Sequence, residues 1–313
     1  MPRFDVTIAG ELNLDLILYG LPAELSPERE LLADNMSLTL GSSSAIVAHN
    51  LASLGSRVGF QSLIGEDPLG RIALERLSES GVDTSGVKRS KSTQTGLSVL
   101  LPREGWRNIL TFPGTISQLT IKDLDFEYLV NARHFHLSSY YLQSGLRPDV
   151  PELLRRLKQA GLSISLDTND DPEDCWEGDL NKALAHVDIF LPNQREARKI
   201  AKTDDVEVAI KKLSSAVPLL VVKRGADGAV AIRKKERIES RALRVEAVDS
   251  VGAGDSFDAG FLHAYLQGKD LKDCLDAGNA AGALCTTRPG GTEAFRDRAH
   301  REKFLRENPA ALP

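Results

Sequence analysis

The run Asp249-Ser250-Val251-Gly252-Ala253-Gly254-Asp255-Ser256-Phe257-Asp258-Ala259-Gly260-Phe261 carries the densest chemical information in the chain. Gly252 and Gly254 permit close backbone approach, and Phe257, Phe261, Leu262, Tyr265 and Leu266 follow at helical spacing. A glycine turn that opens a helix aims unpaired N–H groups at one point, where the helix dipole also favours an anion. A phosphoryl group in transit suits such a place, cradled by Gly252, Ala253 and Gly254. Asp255 stands in the first turn and can face the same hole. Its carboxylate can accept the proton of an attacking hydroxyl, which is general-base work. It can also merely cap the helix, and the turn alone leaves both roles open.

Other residues have spacing suited to chemistry. Asn193 and Glu196 lie three apart and share a helix face, yet the same pair spells a capping arrangement. His134 and His136 alternate on a strand expected at 133–138 and so share one face. With no third ligand in view, they read as satisfied or substrate-lining histidines rather than a metal pair. Asp167, Asn169 and Asp170 follow another expected strand.

The elements that must position these residues follow from periodicity. Residues 4–10 alternate apolar with polar and end on glycine, as a first strand should. Helices are expected at 44–54, 68–80 and 148–160, closed by Gly55, Gly81 and Gly161. Apolar runs at 162–167, 187–191 and 218–223 read as buried strands. This alternation implies an α/β fold with a mostly parallel sheet, helices on both faces and right-handed crossovers. Active sites of such folds gather at the C-terminal edge of the sheet. Segments 11–40 and 93–113 hold strand-like pieces (14–19, 97–101 and 109–112) without intervening helices. They are expected to form a small β lid on a single domain spanning 1–313, in which Arg107 and Asn108 could touch substrate.

Composition narrows the function classes. The chain has 313 residues, 42% of them hydrophobic, enough for one large core. A net charge of −5 gives no electrostatic case for nucleic acid or an anionic membrane. Cys175, Cys274 and Cys285 have no CxxC spacing, which argues against a disulfide framework or zinc site. The N-terminus does not read as a signal peptide, and no run approaches a membrane span of roughly 20 apolar residues. A cytoplasmic protein is the expectation.

The whole 249–261 string closely resembles the C-terminal signature of the ribokinase-like, or PfkB, family of carbohydrate kinases. It also lies about 60 residues from the C-terminus, where that family carries it. The resemblance extends over nearly the whole chain and implies the ribokinase-like three-layer fold with a β-sheet lid. Gly10-Glu11-Leu12-Asn13-Leu14-Asp15 looks like the family's first-strand motif, so Asn13 and Asp15 are implied to bind sugar hydroxyls. Gly41-Ser42-Ser43-Ser44, before a helix ending at Gly55, resembles the first family signature and adds Gly41 and Ser42 to the substrate candidates. That signature normally has a Gly-Gly pair, and Ile46 here replaces an Asn that often touches the sugar. The departures bear on specificity rather than on the catalytic step. Asn169 is a further candidate for substrate or phosphate. The turn 64–70 also matches the family and reads as structural.

Leu191-Pro192-Asn193-Gln194-Arg195-Glu196 resembles the family's Asn-x-x-Glu motif, which acts on Mg²⁺ and phosphate through water; it implies Asn193 and Glu196. Val222-Lys223-Arg224-Gly225-Ala226-Asp227-Gly228 looks like the strand-turn-strand that lines ATP, implying Lys223, Gly225 and Gly228. Asn279, on a helix expected at 271–286, falls where family members approach adenine. The loop 286–291, with Asp249 and Val251, resembles a monovalent-cation site; Asp249, Val251 and Gly291 would be its ligands and K⁺ its ion. Read without the family, Lys223 suits a surface lysine, Asn279 a solvated position and Asp15 a turn. The resemblance thus implies an ATP- and Mg²⁺-dependent kinase of a small sugar-like substrate, with Asp255 as base and the lid as a candidate homodimer surface. The alternatives are a nucleoside (adenosine-type) kinase, disfavoured by an aromatic content of 5%, and a catalytically silent nucleotide or sugar sensor. A dinucleotide oxidoreductase is disfavoured because no glycine-rich turn follows the first strand.

Overall fold

The computed structural model describes residues 2–22, 24–103 and 106–308. Residues 23, 104 and 105 of the expected lid, and 1 and 309–313 of the expected domain, lie outside the described residues. In chain order the strands are β1 (Phe4–Ala9), β2 (Leu14–Tyr19), β3 (Asn35–Leu40), β4 (Val58–Gly65), β5 (Asp83–Ser90), β6 (Leu97–Arg103) and β7 (Trp106–Phe112). They continue with β8 (Ala132–Leu137), β9 (Ser163–Leu166), β10 (Ile189–Phe190), β11 (Leu219–Lys223), β12 (Ala229–Arg233) and β13 (Glu236–Ser240). The helices are α1 (Ser43–Ser53), α2 (Pro68–Glu79), α3 (Phe126–Val130), α4 (Val150–Gln159), α5 (Leu180–Leu184) and α6 (Gln194–Ala201). After them come α7 (Val206–Leu213), α8 (Ala253–Leu266), α9 (Leu271–Thr286), α10 (Glu293–Arg296) and α11 (Arg298–Glu307).

The main sheet has the order β13-β12-β11-β10-β9-β8-β1-β4-β5. Pairing is parallel from β11 to β5, and an antiparallel hairpin of β12 and β13 closes one edge. Every residue of β11 is buried, because helices cover both faces and neither face of the strand meets water. One apolar cluster includes Leu153, Leu157, Ala197 and Ile210 of α4, α6 and α7. A second joins Val47, Leu77, Phe261 and Leu275 of α1, α2, α8 and α9. The chain runs outward from β1 to β4 and β5, then resumes on the opposite side of β1 at β8. The reversal falls between β1 and β8, and α/β folds bind ligands beyond the carboxyl ends of strands at such a point.

A second sheet, ordered β3-β2-β6-β7, comes from the two segments that lack helices in the sequence. Asp15 lies inside β2 and is not a turn residue. The register Thr39–Asp15–Ser98–Thr111 sets a polar row on one face, with the Ser98 and Thr111 hydroxyls 3.1 Å apart. Two residues along each strand, Ile17 and Leu100 on that face pack with Val251, just before α8. The second sheet is thereby seated against the loop that starts the helix.

His134 and His136 are satisfied core residues. Ser163, His134, Ser165, His136 and Ser138 form a buried ladder in which each ring nitrogen has a hydroxyl at 2.7 Å. Burial pushes the pKa of His134 down to about 3 and that of His136 well below its ordinary value, so both rings are neutral. The three cysteines are free thiols, with Cys274 and Cys285 buried on α9. Among the described residues, no helix is long and apolar enough to cross a membrane.

Gly228 shows why one turn residue is fixed. It has φ +88°, and a Cβ there would collide with the Ser240 carbonyl. Gly225, three residues earlier, has φ +59° but open space around it. Gly228→Ala is expected to cost on the order of 2–4 kcal/mol and Gly225→Ala about 1, read from urea unfolding midpoints.

Candidate active site

The site grows from the start of α8. Gly252 is the N-cap, with φ +70°, and no side chain caps the turn. Among the described residues, the Gly254 and Asp255 amides have no intramolecular acceptor. A Cβ on Gly252 would collide with Gly291, whose own missing Cβ leaves room for the tip of Ile46. The turn is therefore an uncapped cluster of donors at a positive helix end, and it fits the terminal phosphate of a nucleotide.

Asp255 projects from this turn and is 7% exposed. Asn169, after β9, donates from Nδ2 to Asp255 Oδ1 at 3.1 Å, while its Oδ1 accepts the Ser139 amide at 2.8 Å. Asn169 thus orients the carboxylate, and its amide keeps a second N–H on Nδ2. Burial, then the nearby charge of Asp167, pushes the pKa of Asp255 up to about 6, with Lys223 and Asn169 opposing. A carboxylate so tuned is ionised at neutral pH and is a stronger base than an ordinary aspartate.

Lys223, at the end of β11, is buried, which corrects the surface-lysine reading. Its Nζ donates to Asp167 Oδ2 at 2.6 Å and to both oxygens of Asp258 at 3.1 and 3.2 Å. Burial disfavours its charge, but Asp167, Asp258 and Glu196 outweigh this and hold it protonated. Its ammonium is committed to two carboxylates and is not a free point charge for phosphate. Asp258 itself is pushed well above the ordinary range, by burial first. Sequence reasoning did not assign Asp167 or Asp258 a role, although the second lies inside the signature. An acid three residues after Asp255 on one helix face was the available signal.

Asn193 and Glu196 form the capping box. Asn193 Oδ1 accepts the Arg195 and Glu196 amides at 2.9 and 3.0 Å, and Glu196 Oε2 accepts the Asn193 amide at 2.8 Å. Glu196 also belongs to the site's electrostatics: burial and then Asp167 push its pKa up to about 8. The buried carboxylates of Asp167, Glu196, Asp255 and Asp258 thus face the single ammonium of Lys223. With its pKa near 8, Glu196 is mostly protonated at neutral pH, and among the described residues no cluster of three His, Cys, Asp or Glu side chains is arranged to hold a metal ion by itself.

Asn13, Asp15 and Gly41 converge. A Cβ on Gly41 would collide with Asp15 and approach Asn13 Nδ2 to 2.9 Å, so only glycine leaves these two side chains in place. Burial first, then Asp255, raises the pKa of Asp15 to about 7. Ser42 has φ +69°, a conformation glycine adopts without strain, as its place in the signature suggests. Its hydroxyl is spent on the Glu11 carbonyl and on capping the Ala45 amide, so it is not presented to a sugar. Ile46 is buried against Gly252 and Gly291.

The remaining candidates are spread around this centre. Asn279 is buried, not solvated: its Nδ2 donates to Ser240 Oγ at 3.0 Å and to the Arg241 carbonyl at 3.2 Å. Gly228 has the packing role described above, and Gly225 sits in an open turn. The Asp249 carboxylate accepts the Val251 and Gly290 amides at 3.0 Å each and the Tyr19 hydroxyl at 3.1 Å. The carbonyls of Val251, Gly291 and Gly290 turn toward Cys285 Sγ at 3.3, 3.6 and 3.8 Å.

Compared with known families, residues 3–298 match the pfkB family carbohydrate kinase. The chain belongs to that family. It is a carbohydrate kinase, a phosphotransferase that uses ATP. Among its relatives, an ATP-dependent ribose-1-phosphate kinase of Halopiger xanaduensis is 31% identical, over 92% of this chain and 94% of that protein. A 5-dehydro-2-deoxygluconokinase of Clostridium perfringens is 27% identical over 96% and 94%. An E. coli protein assigned as a ribokinase II, solved with ATP and Mg²⁺, superposes with a TM-score of 0.83 at 26% identity, covering 97% and 99% of the two chains. Its unliganded form gives 0.84, in keeping with the ribokinase-like architecture of the two sheets.

The strained charge on Asp255 has a measurable consequence. A carboxyl whose pKa rises from 3.8 to about 6 on folding costs stability once ionised. The cost is absent below pH 3.8, grows between the two values and is full above pH 6, at about 3 kcal/mol. Asp255→Asn is therefore expected to melt at a higher temperature than the parent at pH 8. The difference should shrink toward zero at pH 4, in calorimetric scans across that range.

Proposed function

We propose that this kinase transfers the γ-phosphate of ATP to a hydroxyl of a sugar held by Asn13 and Asp15, with Asp255 as general base. The single observation that carries this reading is the pairing of a buried, Asn169-held carboxylate with the uncapped 252–254 turn. Asp255 takes the hydroxyl proton as the oxygen attacks, and the Gly254 and Asp255 amides hold the charge that develops on the phosphoryl oxygens. Lys223 keeps Asp167 and Asp258 in place and offsets part of their charge. Bound Mg²⁺ would neutralise phosphate charge beside Glu196 and Asn193. Gly225, Gly228 and Asn279 shape the nucleotide side through the ends of β12 and β13. The carbonyls of Val251 and Gly291, with Asp249, would be the ligands for K⁺.

The described residues act as one kinase domain, and the second sheet serves as its lid, excluding water over the acceptor. The opposite face of that sheet exposes Met36, Trp106, Leu110 and Phe112, each between 51% and 58%. Two such faces covering one another would form a homodimer, since large apolar surface left in water is costly.

Three assays test this reading. ADP formation over a panel of sugars should appear with the parent chain, and Asp255→Asn should lower turnover by roughly 10²–10⁴-fold with ATP affinity retained. Near-normal turnover removes Asp255 from its role. Because the base must be ionised, kcat/KM should fall as pH drops through about 6. In sedimentation, the parent should run at twice its 34.1 kDa mass and a Leu110→Lys, Phe112→Lys double variant at the monomer mass.

A further inference from the structure

We propose that the acceptor sugar carries an anionic group, a carboxylate or a phosphate, and that Arg107 on β7 binds it. This rests on the sugar-kinase reading above and deepens it. β7 is an edge strand exposed along its length. Pairing of Arg107 with Pro102, and of Thr111 with Ser98, puts Arg107 on the face that carries Asp15, Ile17 and Ser98. Its guanidinium folds inward: Nη1 donates to Ser250 Oγ at 2.9 Å, two residues before the Gly252 turn. Its charge also reaches Asp15, whose pKa it lowers against burial and Asp255.

Among the described residues, Arg107 forms no ion pair, whereas Lys223 is fully engaged by Asp167 and Asp258. A guanidinium has five N–H donors, and one contact leaves a planar fork free for a carboxylate or phosphate. The acceptor side otherwise presents Asp15 and Asp255, and Asp249 lies close enough for its charge to reach Asp15. A neutral sugar needs no cation there; an anionic sugar cannot enter beside those carboxylates without one.

The test is steady-state kinetics of the full-length enzyme on matched acceptors: a neutral sugar, its sugar acid and its phosphate ester. The parent should prefer one of the two anions, and the preferred arm distinguishes carboxylate from phosphate. Arg107→Ala should reduce the anionic-to-neutral ratio of kcat/KM by about 10–100-fold, the loss carried in the acceptor KM, and Arg107→Lys should recover part of it. An unchanged ratio, or a loss in kcat shared by every acceptor, overturns the proposal while leaving the kinase reading intact. No ADP formation with any acceptor defeats both.

Discussion

One ammonium, Lys223, stands among the four buried carboxyl groups of Asp167, Glu196, Asp255 and Asp258, and the electrostatics of the site descend from that crowding. Asp167 and Asp258 take its hydrogen bonds directly. Glu196 and Asp255 are left buried beside them without a cation of their own. Burying carboxylates is expensive, and like charges at close range raise the expense further. The protein meets this partly by lifting pKa values, to about 6 at Asp255 and about 8 at Glu196. Burial first, and then the neighbouring Asp167, makes the Asp255 carboxylate more basic than an ordinary aspartate. A second lysine beside it would lower that basicity.

Close backbone approach is the other constraint. The turn before α8 and the loop after α9 touch at Gly252 and Gly291, where neither can carry a side chain. Asn50 of α1 fastens the same junction, donating to Ser256 Oγ at 2.9 Å and to the Gly291 carbonyl at 3.0 Å. Ser42 shows how a departure from glycine is tolerated. Its positive φ is strained, but its hydroxyl gains the Glu11 carbonyl and the α1 cap, which offset that strain.

Much of this was legible in the sequence, for identifiable reasons. Glycine stops at Gly55, Gly81 and Gly161 and buried apolar runs mark helices and strands through local rules, so the α/β alternation could be read directly. The 249–261 string spelled an anion turn followed by an acid because both lie within one helical turn. The partnership of Lys223 with Asp167 and Asp258 could not be read. The parallel pairing of β9, β10 and β11 brings Asp167 to Lys223 across 56 positions, and Asp258 reaches it across 35 from α8. The hydrogen bonds of Asn169 to Asp255 and Ser139 are hidden from the sequence for the same reason: no local pattern joins the three residues. The register that turns Arg107 inward likewise depends on pairing across the second sheet, not on its neighbours in β7.

The second sheet and the phosphoryl turn are not independent bodies. Tyr19 of β2 donates to Asp249, Arg107 of β7 donates to Ser250, and Ile17 and Leu100 pack on Val251 between them. Asp15, the proposed acceptor ligand, lies on the same strand as Tyr19 and Ile17. An acceptor that draws Asp15 inward must therefore load the contacts that seat the loop leading into Gly252. Water in the acceptor place makes too few contacts to pull on β2, so it gains the base without the full alignment of the turn. On the proposed mechanism this asymmetry suppresses ATP hydrolysis without a separate gate, because the strand that reads the sugar also braces the turn that holds the phosphate.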